Sequence, residues 1–244
     1  GVFVALDDLL RDRLTTPEHV RDGRTPLRVF LPWALVLGGL HGLFIGCYAL
    51  FNGMNGAAVH MLTVMIKLPA LFLLTLLVTF PSLYVFNALL GYGLRFRATL
   101  RLLVATIVVN LALASSLGPI LAFFTVSTKS YTFIVLLNVA ILGIGGLASI
   151  AFLLRTMIRA QNAEQPPAAL EPALVTSPSA TAETPRRALP LLFVWIITYS
   201  LVGTQMGWLL RPFIGHPDRP LTVFRDREGS FVEALWNATA GQAA

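Results

Sequence analysis

Residues 68–90 read LPALFLLTLLVTFPSLYVFNALL, 23 in succession without an Asp, Glu, Lys or Arg. A helix rises about 1.5 Å per residue, so about 20 apolar residues cross the hydrocarbon core of a bilayer. Four further stretches have that length: Val29–Phe51, Leu102–Phe124, Tyr131–Leu154 and Leu189–Leu210, of 23, 23, 24 and 22 residues, and every formal charge of the chain lies outside all five. Lipid offers backbone groups no partner, and the runs lack the two-residue alternation of a membrane barrel, so each is expected to be a helix. The predicted fold is an all-α, polytopic membrane protein with five transmembrane helices. Composition agrees: of 244 residues 56% are hydrophobic and 12% charged, with mean hydropathy +0.74, against about 25% charged in soluble domains. A disordered chain, a coiled coil and a nucleic-acid domain are excluded despite the net charge of +6, because the charges form no basic face. The single Cys47 excludes a disulfide framework and a cysteine-built metal site.

Orientation follows from the basic residues beside the spans. The N-terminal flank, the second loop and the fourth carry 12 of them, among them Arg11, Arg28, Arg95, Arg101, Arg155 and Arg187, whereas the first and third loops carry only Lys67 and Lys129 and the C-terminal tail four arginines. The N-terminus is therefore expected in the cytoplasm and the C-terminus outside. Lys67, at the edge of the second span, is read as snorkelling outward. The near-exclusive use of Arg over Lys points to a bacterial chain, hence to a multi-pass protein of the bacterial inner membrane. The first span lies too far in and is too long for a secretory h-region, with no small-residue cleavage site after it, so it is expected to stay in the mature protein.

Residues 1–28 form a cytoplasmic segment in which Val2, Phe3, Leu6, Leu9, Leu10 and Leu14 recur at helical spacing, the pattern of an amphipathic surface helix. Residues 29–154 hold four spans. The stretch 155–188, with Pro166, Pro167, Pro172, Pro178 and Pro185 among alanines, reads as a flexible linker to the fifth span at 189–210. The tail, 211–244, is turn-rich and then offers a capping box at Ser230 and Glu233 before a short interfacial helix. Arg211, Arg219, Arg225, Arg227 and Trp236 make it a candidate epitope for docking a partner.

Helices in lipid associate through small residues. Gly38, Gly42 and Gly46 form such a stripe on the first span; Gly145 with Ser149 and Gly203 with Gly207 offer seams on the fourth and fifth. Thr75, Thr79 and Ser82 on the second span, with Asn110 on the third and Asn138 on the fourth, are candidates for a polar path beside Pro69, Pro81 and Pro119. His41 is the only histidine inside a span. It is the residue that would relay a proton or ligate a haem- or chlorophyll-type metal, its other ring nitrogen donating to Asn110 or Asn138. No acidic partner and no second histidine share the spans, so a two-residue relay or a bis-histidine site within the chain is excluded. His60 and His216 read as solvated. The residue sets for intramembrane hydrolysis, paired aspartates, a Ser-His pair on packed helices or a His-Glu metal box, are missing, so an enzyme is not expected, nor an obligatory cofactor or metal.

From about Leu9 to Leu154, and more loosely through the fifth span, the chain resembles the Yip-type family of five-helix, Rab-interacting-protein-like membrane proteins. The likeness centres on Lys67-Leu68-Pro69, Phe80-Pro81-Ser82-Leu83-Tyr84, Leu89-Leu90-Gly91 and Arg95-Phe96-Arg97-Ala98-Thr99-Leu100. It implies five crossings, a cytosolic N-terminus, and a role in membrane shaping and recruitment of trafficking GTPases; the long acidic cytosolic domain that goes with GTPase binding has no counterpart here.

The sequence therefore predicts a non-enzymatic membrane scaffold or accessory subunit whose partners are the lipid bilayer and other membrane protein subunits, not nucleic acid. A channel or transporter for a small solute or lipid is the alternative, and a cofactor- or pigment-binding subunit built on His41 a third. In a Cys47→Ala background, a cysteine at Ser230 is expected to react with an impermeant maleimide in intact cells and one at Thr16 only after permeabilisation; labelling of both from one side contradicts the topology.

Overall fold

The computed structural model describes Val4, residues 7–9, Arg11 and residues 27–90, 96–162 and 188–214. Among these the protein is all-helical, with five long helices: α1 (Leu27–Phe51), α2 (Ala57–Leu90), α3 (Phe96–Ser127), α4 (Tyr131–Asn162) and α5 (Ala188–Leu210). All five are long and apolar enough to cross a membrane, as the sequence predicts. Arg219, Arg225, Arg227 and Trp236, most of the N-terminal segment and residues 163–187 lie outside the described residues.

The seam between α1 and α2 sets the packing. A β-carbon at Gly38 would lie 2.8 Å from Pro69 Cβ, at Gly42 2.8 Å from Met65 Cα and Val64 O, and at Gly46 2.8 Å from Met61 Cα. Each step of four up α1 is a step of four down α2, the register of antiparallel helices whose four-residue ridges meet. Only hydrogen fits where these backbones touch. Met65 O, deprived of its helical donor by Pro69, faces Gly39 across the same seam. α3 closes on another side of α1: Phe44 covers Gly118, and Ser115 Oγ donates to Leu37 O at 2.6 Å.

α4 packs outside α3, and α5 outside α2. Two indole and phenol hydrogen bonds hold α5: Trp195 Nε1 donates to Thr79 O at 3.1 Å and Tyr199 Oη to Phe72 O at 3.2 Å. The core divides into one cluster around Phe30, Trp33, Leu76, Leu102 and Leu153 and another around Ile45, Tyr48, Val64, Leu121 and Ile134. Leu9 is fully buried in the first cluster, and Arg11 pairs with Asp7 at 2.8 Å on the surface beside it, so this part of the N-terminal segment rests on the bundle and not on lipid alone.

Three sequence expectations change. α2 starts eleven residues before Leu68, because Ala57–Ile66 is itself apolar and helix-forming; Lys67 thus lies well inside the helix and is only 5% exposed, enclosed where snorkelling was expected. His60, expected in solvent, is 4% exposed, its Nε2 donating to Phe213 O at 3.2 Å, since the chain leaving α5 folds over the start of α2. That contact also puts the exit of α5 at the end of the bundle opposite the entry of α1. Finally, α4 runs to Asn162, two turns into the stretch read as linker, carried by the helix-favouring Arg155–Ala160.

Candidate functional site: a lateral cleft and a buried polar layer

Because α4 and α5 are the outermost helices on different partners, they stand apart. Between them α2, α3, α4 and α5 enclose a cleft of about 660 Å³. Among the described residues its wall is apolar and carries no charge; its polar members are Thr75, Thr106, Asn110, Ser149, Tyr199, Ser200 and Thr204. The hydroxyls are already committed. Thr75 donates to Leu71 O, Thr106 to Leu102 O, Ser149 to Gly146 O, Ser200 to Ile196 O and Thr204 to Ser200 O, as expected where no water can serve them. Asn110 differs: it is 8% exposed and its Oδ1 has no partner among the described residues.

Glycines separate into two kinds. Those on α1 touch backbone or ring, as does Gly145, whose β-carbon would sit 2.5 Å from Asn110 Oδ1. Among the described residues a β-carbon at Gly143 or Gly146 in the α4 wall, or at Gly207 on α5, would meet nothing within 4 Å, and one at Gly203 only Thr75, at 3.5 Å. The seam expected at Gly145 and Ser149 is thus half realised, Gly145 meeting α3 while Ser149 lines the cleft. The seam expected at Gly203 and Gly207 leaves Gly207 open.

The predicted polar path does not assemble as one line. Thr75 and Asn110 reach the cleft; Thr79 and Ser82 do not line it, their hydroxyls bonding Thr75 O and Thr79 O on their own helix. Asn138 belongs elsewhere, accepting at Oδ1 from His41 Nε2 at 3.1 Å. This bond selects Asn138 from the two amides named by the sequence, and a carbonyl acceptor there fixes the proton on Nε2. His41 Nδ1 is buried without a partner among the described residues, and the ring, fully buried, is not part of the cleft wall. Among the described residues no three His, Cys, Asp or Glu side chains gather as a metal site. Arg211, the one described residue of the docking epitope, rests on Trp208, its Cζ 3.5 Å from the ring centroid.

Trp195, Tyr199, Thr106, Ser200 and Thr204 were not singled out by sequence reasoning. One signal was present: Ser200, Gly203, Thr204 and Gly207 fall at i, i+3, i+4 and i+7, a small-residue face on α5. No protein family, curated protein or solved structure matches the chain.

Asn138→Leu strands the buried Nε2–H of His41 and is expected to cost roughly 1–3 kcal/mol, much of it recovered in His41→Leu/Asn138→Leu because both polar partners are then gone. Reversible unfolding in mixed micelles measures this; simple additivity of the two single losses contradicts it.

Proposed function

We propose that this protein is a non-enzymatic integral membrane scaffold or accessory subunit, in keeping with an inner-membrane setting, and that it works by holding a component of the bilayer in the cleft between α4 and α5. The observation that carries this reading is that the cleft wall is apolar and uncharged while Gly143 and Gly146 in it face open space. Ligand sites run to about 300–1,000 Å³ with a few convergent polar groups in an apolar wall, and a lateral opening admits what is already dissolved in lipid. The resemblance to Yip-type proteins, which implies membrane shaping, is in keeping with a non-enzymatic membrane role. Transport gains less support, since Thr79 and Ser82 turn their hydroxyls into their own helix. A pigment role gains less too, since His41 is enclosed on α1 away from the cleft.

The test fills the cleft. Wild type and Gly146→Leu, matched in helix content by circular dichroism, are released from native membranes in polymer nanodiscs and weighed intact by mass spectrometry. Wild type is expected to retain a bound component that Gly146→Leu has lost. The same bound mass retained by both proteins, or by neither, contradicts the proposal.

A further inference from the structure

We infer that the occupant of this cleft is an uncharged lipid that presents a ring carbonyl near the bilayer centre, the chemistry of an isoprenoid quinone; this rests on the reading of the cleft as a binding site. Four observations lead there. The first is size. The cleft holds about 660 Å³, within the roughly 300–1,000 Å³ of sites that take small molecules, which suits the head and first units of a lipid.

The second is charge. Among the described residues no Lys, Arg or His lines the cleft, so none of them answers a phosphate headgroup there. The third is the depth and state of Asn110. It lies 14 residues after the start of α3 and 17 before its end, near the middle of a spanning helix. Its Oδ1 is enclosed against Gly145, where a β-carbon would stand 2.5 Å away. The residue lines the cleft, and its amide nitrogen makes no hydrogen bond with a described residue. A stranded amide in hydrocarbon is costly, and a phospholipid relieves none of that cost: its ester carbonyls stay at the interface, about 15 Å from the centre, and opposite Asn110 it shows only methylenes. A neutral lipid whose head enters the hydrocarbon layer brings a carbonyl to that depth.

The fourth is the aromatic wall. Phe72, Trp195 and Tyr199 line the cleft, with the Trp195 and Tyr199 rings 5.3 Å apart. Both polar ends are spent on α2 backbone carbonyls, so what remains for a ligand is ring surface suited to a planar head. The open space at Gly143 and Gly146 leaves room beside it.

The experiment uses Trp195 as reporter. The full chain carrying Trp33→Phe, Trp208→Phe and Trp236→Phe is placed in nanodiscs, and its fluorescence is followed during titration with decylubiquinone and, separately, with brominated phosphatidylcholine. The quinone is expected to quench saturably, with affinity about tenfold weaker in Asn110→Leu, the loss of one hydrogen bond, and with saturation abolished in Gly146→Leu. Saturable quenching unaffected by Asn110→Leu, or seen with the brominated phospholipid and not the quinone, overturns the carbonyl assignment while the cleft stands as a binding site. Quenching that rises linearly with both probes and is the same in Gly146→Leu overturns the inference and the binding-site reading together.

Discussion

Helices already dissolved in hydrocarbon gain nothing by hiding apolar side chains from one another, so this bundle depends on how closely two backbones approach. That approach happens along Gly38, Gly42 and Gly46, set against Pro69, Met65 and Met61. Dispersion between atoms in contact falls steeply with separation, and a stripe without side chains lets the axes come as near as α-helices can. The proline on the facing helix fits the same logic: it strands a carbonyl, and the glycine-lined groove is where that carbonyl meets the neighbouring helix.

With α1 and α2 fixed, the rest follows by attachment. α3 seats on α1 through Ser115 and Phe44, and α4 adds to α3 while α5 adds to α2. Since α4 and α5 are tied to different helices, a gap opens between them, and the unfilled Gly143 and Gly146 of α4 mark one wall. Polarity divides along the same lines. His41 Nε2 bonds Asn138 Oδ1 inside the packed side of the bundle, where the pair ties α1 to α4; the amide oxygen of Asn110, one helix over, has no partner among the described residues. Similar residue types thus do different work because one pair is closed in and the other residue borders a cleft.

The number of helices, their order and the α1 stripe were legible because charge exclusion and four-residue glycine spacing are local patterns. The partner of that stripe was not. Met61 and Met65 lay in a stretch assigned to a loop, since Lys67 interrupts the apolar run and a count of charges cannot know that a lysine will be enclosed. Proximity across the sequence was likewise hidden: Asn110 and Asn138 were both named for His41, and only packing distinguishes them. Gly145 and Gly146 are neighbours in one glycine-rich stretch, yet one meets Asn110 and the other nothing within 4 Å among the described residues, because a helix turns about 100° per residue and the faces they occupy look at different things.

That contrast between tight and open glycines can be measured directly. In reversible unfolding in mixed micelles, Gly42→Ala is expected to lose about 1–3 kcal/mol, as overpacking against Met65 and Val64 forces the helices apart. Gly143→Ala is expected to hold its stability or gain up to about 1 kcal/mol, since alanine is the better helix former and nothing opposes its methyl group. Equal losses at the two positions, or a greater loss at Gly143, would contradict the account.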